Sequence, residues 1–155
     1  MGVEIERKFL VNPEKWDKLV KPESAHYRQG YLVDDDKKTI RVRVTDTQGY
    51  ITFKGPTANF SRKEFEYKIP VKDGNELLDQ FAESEVEKIR YRIEFEGKLW
   101  EVDVFLGDNE GLIVAEIELT NEDEQFSMPD WVTEEVSGDE RYYNSNLSVH
   151  PFKKW

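Results

Sequence analysis

The chain opens with a strand-like run in which Glu4, Glu6 and Lys8 alternate with Ile5, Arg7 and Phe9. Residues two apart on an extended strand point the same way, about 6–7 Å from each other. These three charges therefore share one face, and the same period recurs along the chain. Arg41 and Arg43 stand against Ile40, Val42 and Val44, and Lys54 stands against Ile51 and Phe53. Arg62, Glu64, Glu66 and Lys68 alternate with Phe65, Tyr67 and Ile69, and Lys88, Arg90, Arg92 and Glu94 with Ile89, Tyr91 and Ile93. Glu101 and Asp103 lie against Trp100, Val102 and Val104, and Glu116 and Glu118 against Ala115, Ile117 and Leu119.

An amphipathic sheet with its charged face in water shows the same alternation. Two features favour an enclosed charged face instead. First, the charges segregate by strand: Arg41, Arg43 and Lys54 have no acids among them, while Glu116 and Glu118 stand together without bases. Second, arginine is concentrated here, and its planar fork suits bidentate recognition of phosphate. Like charges crowded into one space repel, so the acids call for a cation and the bases for a polyanion. With no cysteine and only His26 and His150, the ligands to a metal are oxygens, which selects Mg²⁺ or Mn²⁺ over zinc. A metal-bound polyphosphate answers both sets at once.

The elements that must carry these side chains read as eight strands, over 3–10, 26–33, 39–45, 50–54, 62–70, 88–95, 99–106 and 112–119. Short polar or glycine turns separate many of them, so neighbours run antiparallel. Eight antiparallel strands suit a closed barrel, because closure removes exposed edges; a two-sheet sandwich is the alternative. The expected fold class is mainly β (α+β), a single domain over 1–155 with a few flanking helices. Asn12 caps a first helix with Pro13 at its first position. A second, over 73–84, has Asp73 as cap and Leu77, Leu78 and Phe81 as its apolar stripe. Short helices are also expected over 120–126, capped by Thr120, and over 129–136.

Tyr67, Tyr91, Trp100 and Phe105 mostly fall on the parity opposite the charges, so the charged interior offers no surface for stacking a base. Few helices are available to cover the apolar outer face, and a homodimer is expected to cover part of it. A net charge of -11 and a pI near 4.7 disfavour nucleic acid and anionic membranes as partners. No apolar run reaches the length of a membrane span and the first residues lack a leader pattern, so the expected location is cytoplasmic.

The run EIERKFL resembles the E-x-E-x-K signature of the CYTH superfamily, the triphosphate tunnel metalloenzymes. The resemblance continues in order through RQGYL, TIRVRV, TFKGP, SRKEFEY, EKIRYR, WEVDVF, VAEIEL and EVSGDERYYNSNLS, covering nearly the whole chain. It implies an eight-stranded antiparallel β-barrel enclosing a tunnel. It also implies that Glu4, Glu6, Glu116 and Glu118 are metal carboxylates, supported by Asp103, Glu64 and Glu66. Lys8, Arg41, Arg43, Lys54, Arg62, Lys88, Arg90 and Arg92 would line the phosphate track, and Lys88 or Tyr31 would sit near the attacking water or the leaving group. Tyr31 reads equally as a packing residue, and Arg62 as a structural partner of Glu64 or Glu66. The segment SGDERYYNSNLS is expected over one tunnel mouth, where Asp139, Arg141, Tyr142 and Asn144 read equally as scaffold.

Several activities share this fold. The compact, charged interior points to metal-dependent hydrolysis of inorganic triphosphate. Class IV adenylate cyclase activity on ATP, or action on another organic triphosphate such as thiamine triphosphate, is the alternative. A non-enzymatic module binding polyphosphate or a nucleoside triphosphate is a third class.

Overall fold

The computed structural model describes residues 2–155. Its strands are β1 (Gly2–Val11), β2 (Ser24–Asp34), β3 (Thr39–Val44), β4 (Gly49–Lys54), β5 (Ser61–Ile69), β6 (Ser84–Phe95), β7 (Lys98–Phe105), β8 (Ile113–Glu118) and β9 (Val132–Glu135). All pairs are antiparallel, in the order β5-β4-β3-β2-β6-β7-β8-β1-β9, and β5 also pairs with β1. The first eight strands therefore close on themselves, as the strand count implied. β1 makes the closure by switching partners: Gly2–Ile5 lie against β5, with Glu4 opposite Arg62, and Glu6–Leu10 lie against β8.

The ninth strand is a correction, because its residues lie within 129–136, expected as a helix. Proline, aspartate and paired glutamates resemble a helix start, but β1 offers an unpaired backbone edge beyond the end of β5. Residues 131–137 fill it: Asn12 N donates to Trp131 O at 2.9 Å, Val136 N donates to Lys8 O at 2.8 Å, and Lys8 N donates to Ser137 Oγ at 2.9 Å. Satisfying that edge outweighs a local preference.

Residues 120–126 are not helical either. Thr120 N and Oγ1 both donate to Glu124 Oε1, at 2.6 and 2.7 Å, and Asn121 Oδ1 accepts from Asp123 N at 2.9 Å. These local side-chain bonds compete with a helical ladder.

Two helices lie where expected. In α1 (Pro13–Lys18), Asn12 Oδ1 accepts from Lys15 N at 3.0 Å. α2 (Val71–Phe81) starts earlier than expected, with Pro70 as its N-cap and Asp73 inside the first turn. Both cover apolar outer faces. Trp16 of α1 packs with Trp131 and, through it, Trp100, in edge-on contacts of 5.6 and 6.1 Å over Val102, Ala115 and Ile117. Leu78 of α2 packs on Val42 and Val44. That close approach needs glycine: a Cβ on Gly74 would lie 2.6 Å from Val44 Cγ2, and one on Gly30 would lie 2.5 Å from Leu78 Cδ2.

One end of the interior is apolar. Val86, Phe105, Leu112 and Val114 pack there with Val136, Tyr142 and Leu147 of the C-terminal segment. Phe105 thus faces inward, unlike Tyr91 and Trp100, because it shares the parity of Glu101 and Asp103. Among the described residues, no helix is long and apolar enough to cross a membrane.

Candidate active site

The charged faces of the strands converge on one cavity of about 270 Å³. β1 contributes Glu4, Glu6 and Lys8, β3 Arg41 and Arg43, β4 Lys54, and β5 Arg62, Glu64 and Glu66. β2 adds Tyr31, β6 Lys88, Arg90 and Arg92, and β8 Glu116 and Glu118. Every sequence-predicted site residue except Asp103 lines this space. Lys68 and Glu94 continue the pattern but lie exposed.

Asp103 is wholly buried behind the cavity wall. Its Oδ1 accepts from Arg90 Nε at 2.7 Å, and its Oδ2 accepts from Lys88 Nζ at 2.8 Å and from the second nitrogen of the Arg90 fork at 2.9 Å. Both oxygens are committed to cations of the protein, so Asp103 fits an anchor for Lys88 and Arg90 better than a metal ligand. Burial pushes its carboxyl up, but Arg90 and Lys88 more than offset this and hold it below the ordinary range. Burial pushes the Lys88 ammonium down, with Asp103 opposing and Arg90 and Arg43 adding, to about 7.

The carboxylates divide into paired and unpaired. Glu4 receives Lys54 Nζ at 2.9 and 3.0 Å and lies 3.5 Å from Arg62 Nε. Burial raises its carboxyl, but Lys54 and Arg62 bring it down to about 2. Arg62 therefore pairs with Glu4, opposite it on β1, and not with Glu64 or Glu66. Glu116 lies 3.8 Å from Lys8 Nζ.

The Glu6 carboxyl has no ion-pair or hydrogen-bond partner among the described residues, although its backbone N–H donates to Phe60 O at 3.2 Å. Burial, then Glu116 and Glu4, push its carboxyl up to about 8. Glu118, opposite Glu6 in the β1–β8 register, is raised by burial, Glu4, Glu64 and Glu101. A carboxyl that holds its proton so tightly is one whose charge lacks a cation. The donor set, oxygens only, fits Mg²⁺ or Mn²⁺. Among the described residues, three such groups are not already gathered about one point.

The cations show the converse. Arg41 is nearly buried; it donates to Thr52 Oγ1 at 3.1 Å and lies 3.5 Å from Glu66, yet its Nε has no partner. Arg43 makes no ion pair among the described residues, and burial, Arg41 and Arg90 bring its guanidinium down to about 10. Such an arrangement can take up an anion with several oxygens.

Tyr27, Gln29 and Glu101 join the expected site residues around the cavity. Tyr27 and Gln29 share the face of Tyr31 at the period of two along β2, but neither carries the charge that marks the inward face on the other strands. Arg43 and Arg90 lie over the Tyr27 ring at 5.2 and 5.3 Å, and Arg92 donates to its hydroxyl at 2.9 Å. Glu101 lines the wall and pairs with Arg90 and Arg92 at 3.3 and 3.4 Å.

The C-terminal segment closes the inner end, as expected. Asn144, in the short helix α3 (Asn144–Leu147), accepts from Lys88 Nζ at 2.9 Å, and Tyr143 lies 5.2 Å from Lys8 Nζ. Asp139 and Arg141 instead pair with each other at the surface, at 2.8 Å.

The sequence matches the CYTH domain over residues 2–147. It is 51% identical over 156 residues to the inorganic triphosphatase of Acetivibrio thermocellus, covering 100% of this chain and 99% of that one. It is 37% identical over 150 residues to the inorganic triphosphatase of Nitrosomonas europaea, covering 94% and 97%. Among solved structures, the fold is similar to an inorganic triphosphatase with a TM-score of 0.65 at 35% identity, over 94% of this chain and 97% of the other. It is also similar, with a TM-score of 0.59, 15% identity and coverage of 78% and 80%, to a Hippeastrum protein described as having a dominant triphosphatase activity. At that identity the likeness concerns the fold. The inward-facing charges, the closed barrel and the full-length match place the chain in the CYTH domain family.

Proposed function

We propose that this protein hydrolyses inorganic triphosphate in the barrel cavity, with Mg²⁺ or Mn²⁺ as cofactor. The observation that carries the reading is the meeting, in one small cavity, of cations with unfilled donor capacity, Arg41 with its unpartnered Nε and Arg43 without an ion pair among the described residues, and carboxylates lacking cations, Glu6 and Glu118. The full-length likeness to inorganic triphosphatases supports it. The cavity's size, just below the range of ordinary small-molecule sites (about 300–1,000 Å³), and its charged lining suit a bare triphosphate better than a nucleoside.

Lys8, Arg41, Arg43 and Lys54 hold the phosphoryl oxygens, with Arg62, Arg90 and Arg92 continuing the track toward the mouth. Phosphoryl transfer depends on positioning and charge stabilisation more than on covalent chemistry, and this lining provides both. Glu4, Glu6, Glu116 and Glu118, with Glu64 and Glu66 nearby, would hold the divalent cation. When bound, it would neutralise charge on the phosphoryl oxygens and acidify a water. Lys88, which titrates near neutrality, holds or takes a proton at Nζ beside the inner end, and Asp103 and Asn144 keep it there.

The test is phosphate release from tripolyphosphate, ATP, pyrophosphate and thiamine triphosphate, each with Mg²⁺, Mn²⁺ or EDTA. Metal-dependent release, fastest from tripolyphosphate, is the expected result. Cyclic AMP from ATP would move the assignment to a cyclase. No turnover, with tripolyphosphate still raising the melting temperature, would leave a binding module.

Part of the outer barrel remains uncovered at Val3, Phe53 and Tyr67, which are 60%, 38% and 55% exposed, with Phe53 and Tyr67 stacked edge-on at 6.4 Å. This supports a homodimer, and a monomeric mass in solution scattering at micromolar concentration would contradict it.

A further inference from the structure

Gln29 is buried inside the barrel, next to the cavity wall. Its Oε1 accepts from Arg43 Nε at 3.0 Å, and its Nε2 donates to the Tyr31 hydroxyl at 2.7 Å. The orientation of the amide is forced. A guanidinium can only donate, so the carbonyl must face Arg43 and the NH₂ must face Tyr31. The Tyr31 oxygen thus receives a proton, and its own hydrogen must go elsewhere. The cations acting most strongly on the hydroxyl are Arg41, Arg43 and Lys8, all of them donors. Among the described residues, the Tyr31 hydroxyl donates no hydrogen bond, and Tyr31 lines the cavity.

We propose that Gln29 is a positioning residue that fixes the polarity of Tyr31, so that the tyrosine donates its hydroxyl proton to a phosphoryl oxygen of the bound triphosphate. The inference rests on the triphosphatase reading above. Tyr31 then acts as a neutral donor, and Arg43 sets its direction through one amide.

Two substitutions separate this role from a packing role. In Gln29→Glu, the carboxylate beside Arg43 accepts from Arg43 and from Tyr31, turning the hydroxyl hydrogen away from substrate. In Gln29→Met, neither bond forms, but the hydroxyl is free to rotate toward substrate. If Gln29 only held the structure together, Met would be the more harmful change, because Glu keeps both bonds. The polarity role predicts the reverse.

The measurement is kcat and KM for tripolyphosphate, with melting temperatures, for both variants in wild-type and Tyr31→Phe backgrounds. Gln29→Glu and Tyr31→Phe are each expected to lower kcat about 100-fold, the scale for losing one donor to a developing negative charge. Gln29→Met is expected to retain more turnover than Gln29→Glu. On the Tyr31→Phe background, Gln29→Glu should cause no further loss of kcat, since coupled residues do not add. A lower kcat for Met than for Glu, or an equal loss for Glu in both backgrounds, would overturn the proposal. So would an unchanged kcat in Tyr31→Phe, which decides the matter even if Gln29→Glu does not fold. Absence of turnover in the wild-type protein is a different result, overturning the functional reading and this inference with it.

Discussion

Lys88 and Asp103 meet at 2.8 Å, and neither side chain has any exposure to solvent. Removing one member of such a pair strands the other charge out of water. Asp103→Asn strands Lys88 and takes from Arg90 its shortest ion-pair bonds, leaving it Glu101 at 3.3 Å and Glu116 at 4.0 Å. The expected loss is about 3–5 kcal/mol, or about 10 °C in melting temperature at roughly 2–4 °C per kcal/mol for a chain of this size. Lys88→Met is expected to cost less stability, because Asp103 keeps both bonds to Arg90, yet to abolish turnover. Thermal melts of the two variants in the same buffer would test this ordering. An Asp103→Asn variant as stable as wild type would show that the buried pair is dispensable.

The Glu6 carboxyl predicts a pH-dependent stability with a definite sign. Its folded-state value of about 8 lies above the ordinary 4.5, so the folded protein binds more protons than the unfolded chain between those limits. This group therefore makes the metal-free protein less stable as pH rises through that window. Glu6→Gln removes the effect, and its advantage in melting temperature over wild type should grow from about pH 5 to about pH 8. Added Mg²⁺ should stabilise wild type with release of protons and do so less in the variant. An advantage independent of pH would place the perturbation elsewhere.

Turnover and affinity should separate along the cavity wall. Arg41→Ala or Lys8→Ala removes a charge-assisted contact worth about 1.5–3 kcal/mol, so KM for tripolyphosphate should rise about 10- to 100-fold. Glu118→Gln should instead lower kcat and shift the metal concentration needed for half-maximal rate. Steady-state kinetics across a metal titration would distinguish the two patterns. Unfolding of these variants, in place of altered kinetics, would favour the purely structural view of the charged face.

Gly74 sets two opposing terms against each other. Alanine is about 1 kcal/mol better than glycine inside a helix, but its Cβ would meet the stiff Val44 side chain at 2.6 Å. Overpacking typically costs about 1–3 kcal/mol, so the clash should win and Gly74→Ala should unfold at a lower temperature. A raised melting temperature would show that α2 can shift outward freely.

The period of two made the barrel and most of its lining legible before any fold was known, because strand parity is a local property. Glu4, Glu6, Arg41 and Glu118 face inward because their neighbours face outward, and no tertiary information is needed to say so. Phe105 has the parity of Asp103 and faces inward, where it packs in the apolar inner end. What only the tertiary structure decided is partnership. Asp103 looked like another carboxylate of the acidic set, but the β6–β7 register puts it between Lys88 and Arg90. Arg62 is set against Glu4 by the closing pair of strands, and Asn144 reaches Lys88 from a segment distant in sequence. Residues 131–137 became an edge of the sheet because β1 had unpaired backbone groups to satisfy there. Charge and period are written residue by residue, whereas ion pairs and edge pairing depend on which strands close against each other in space.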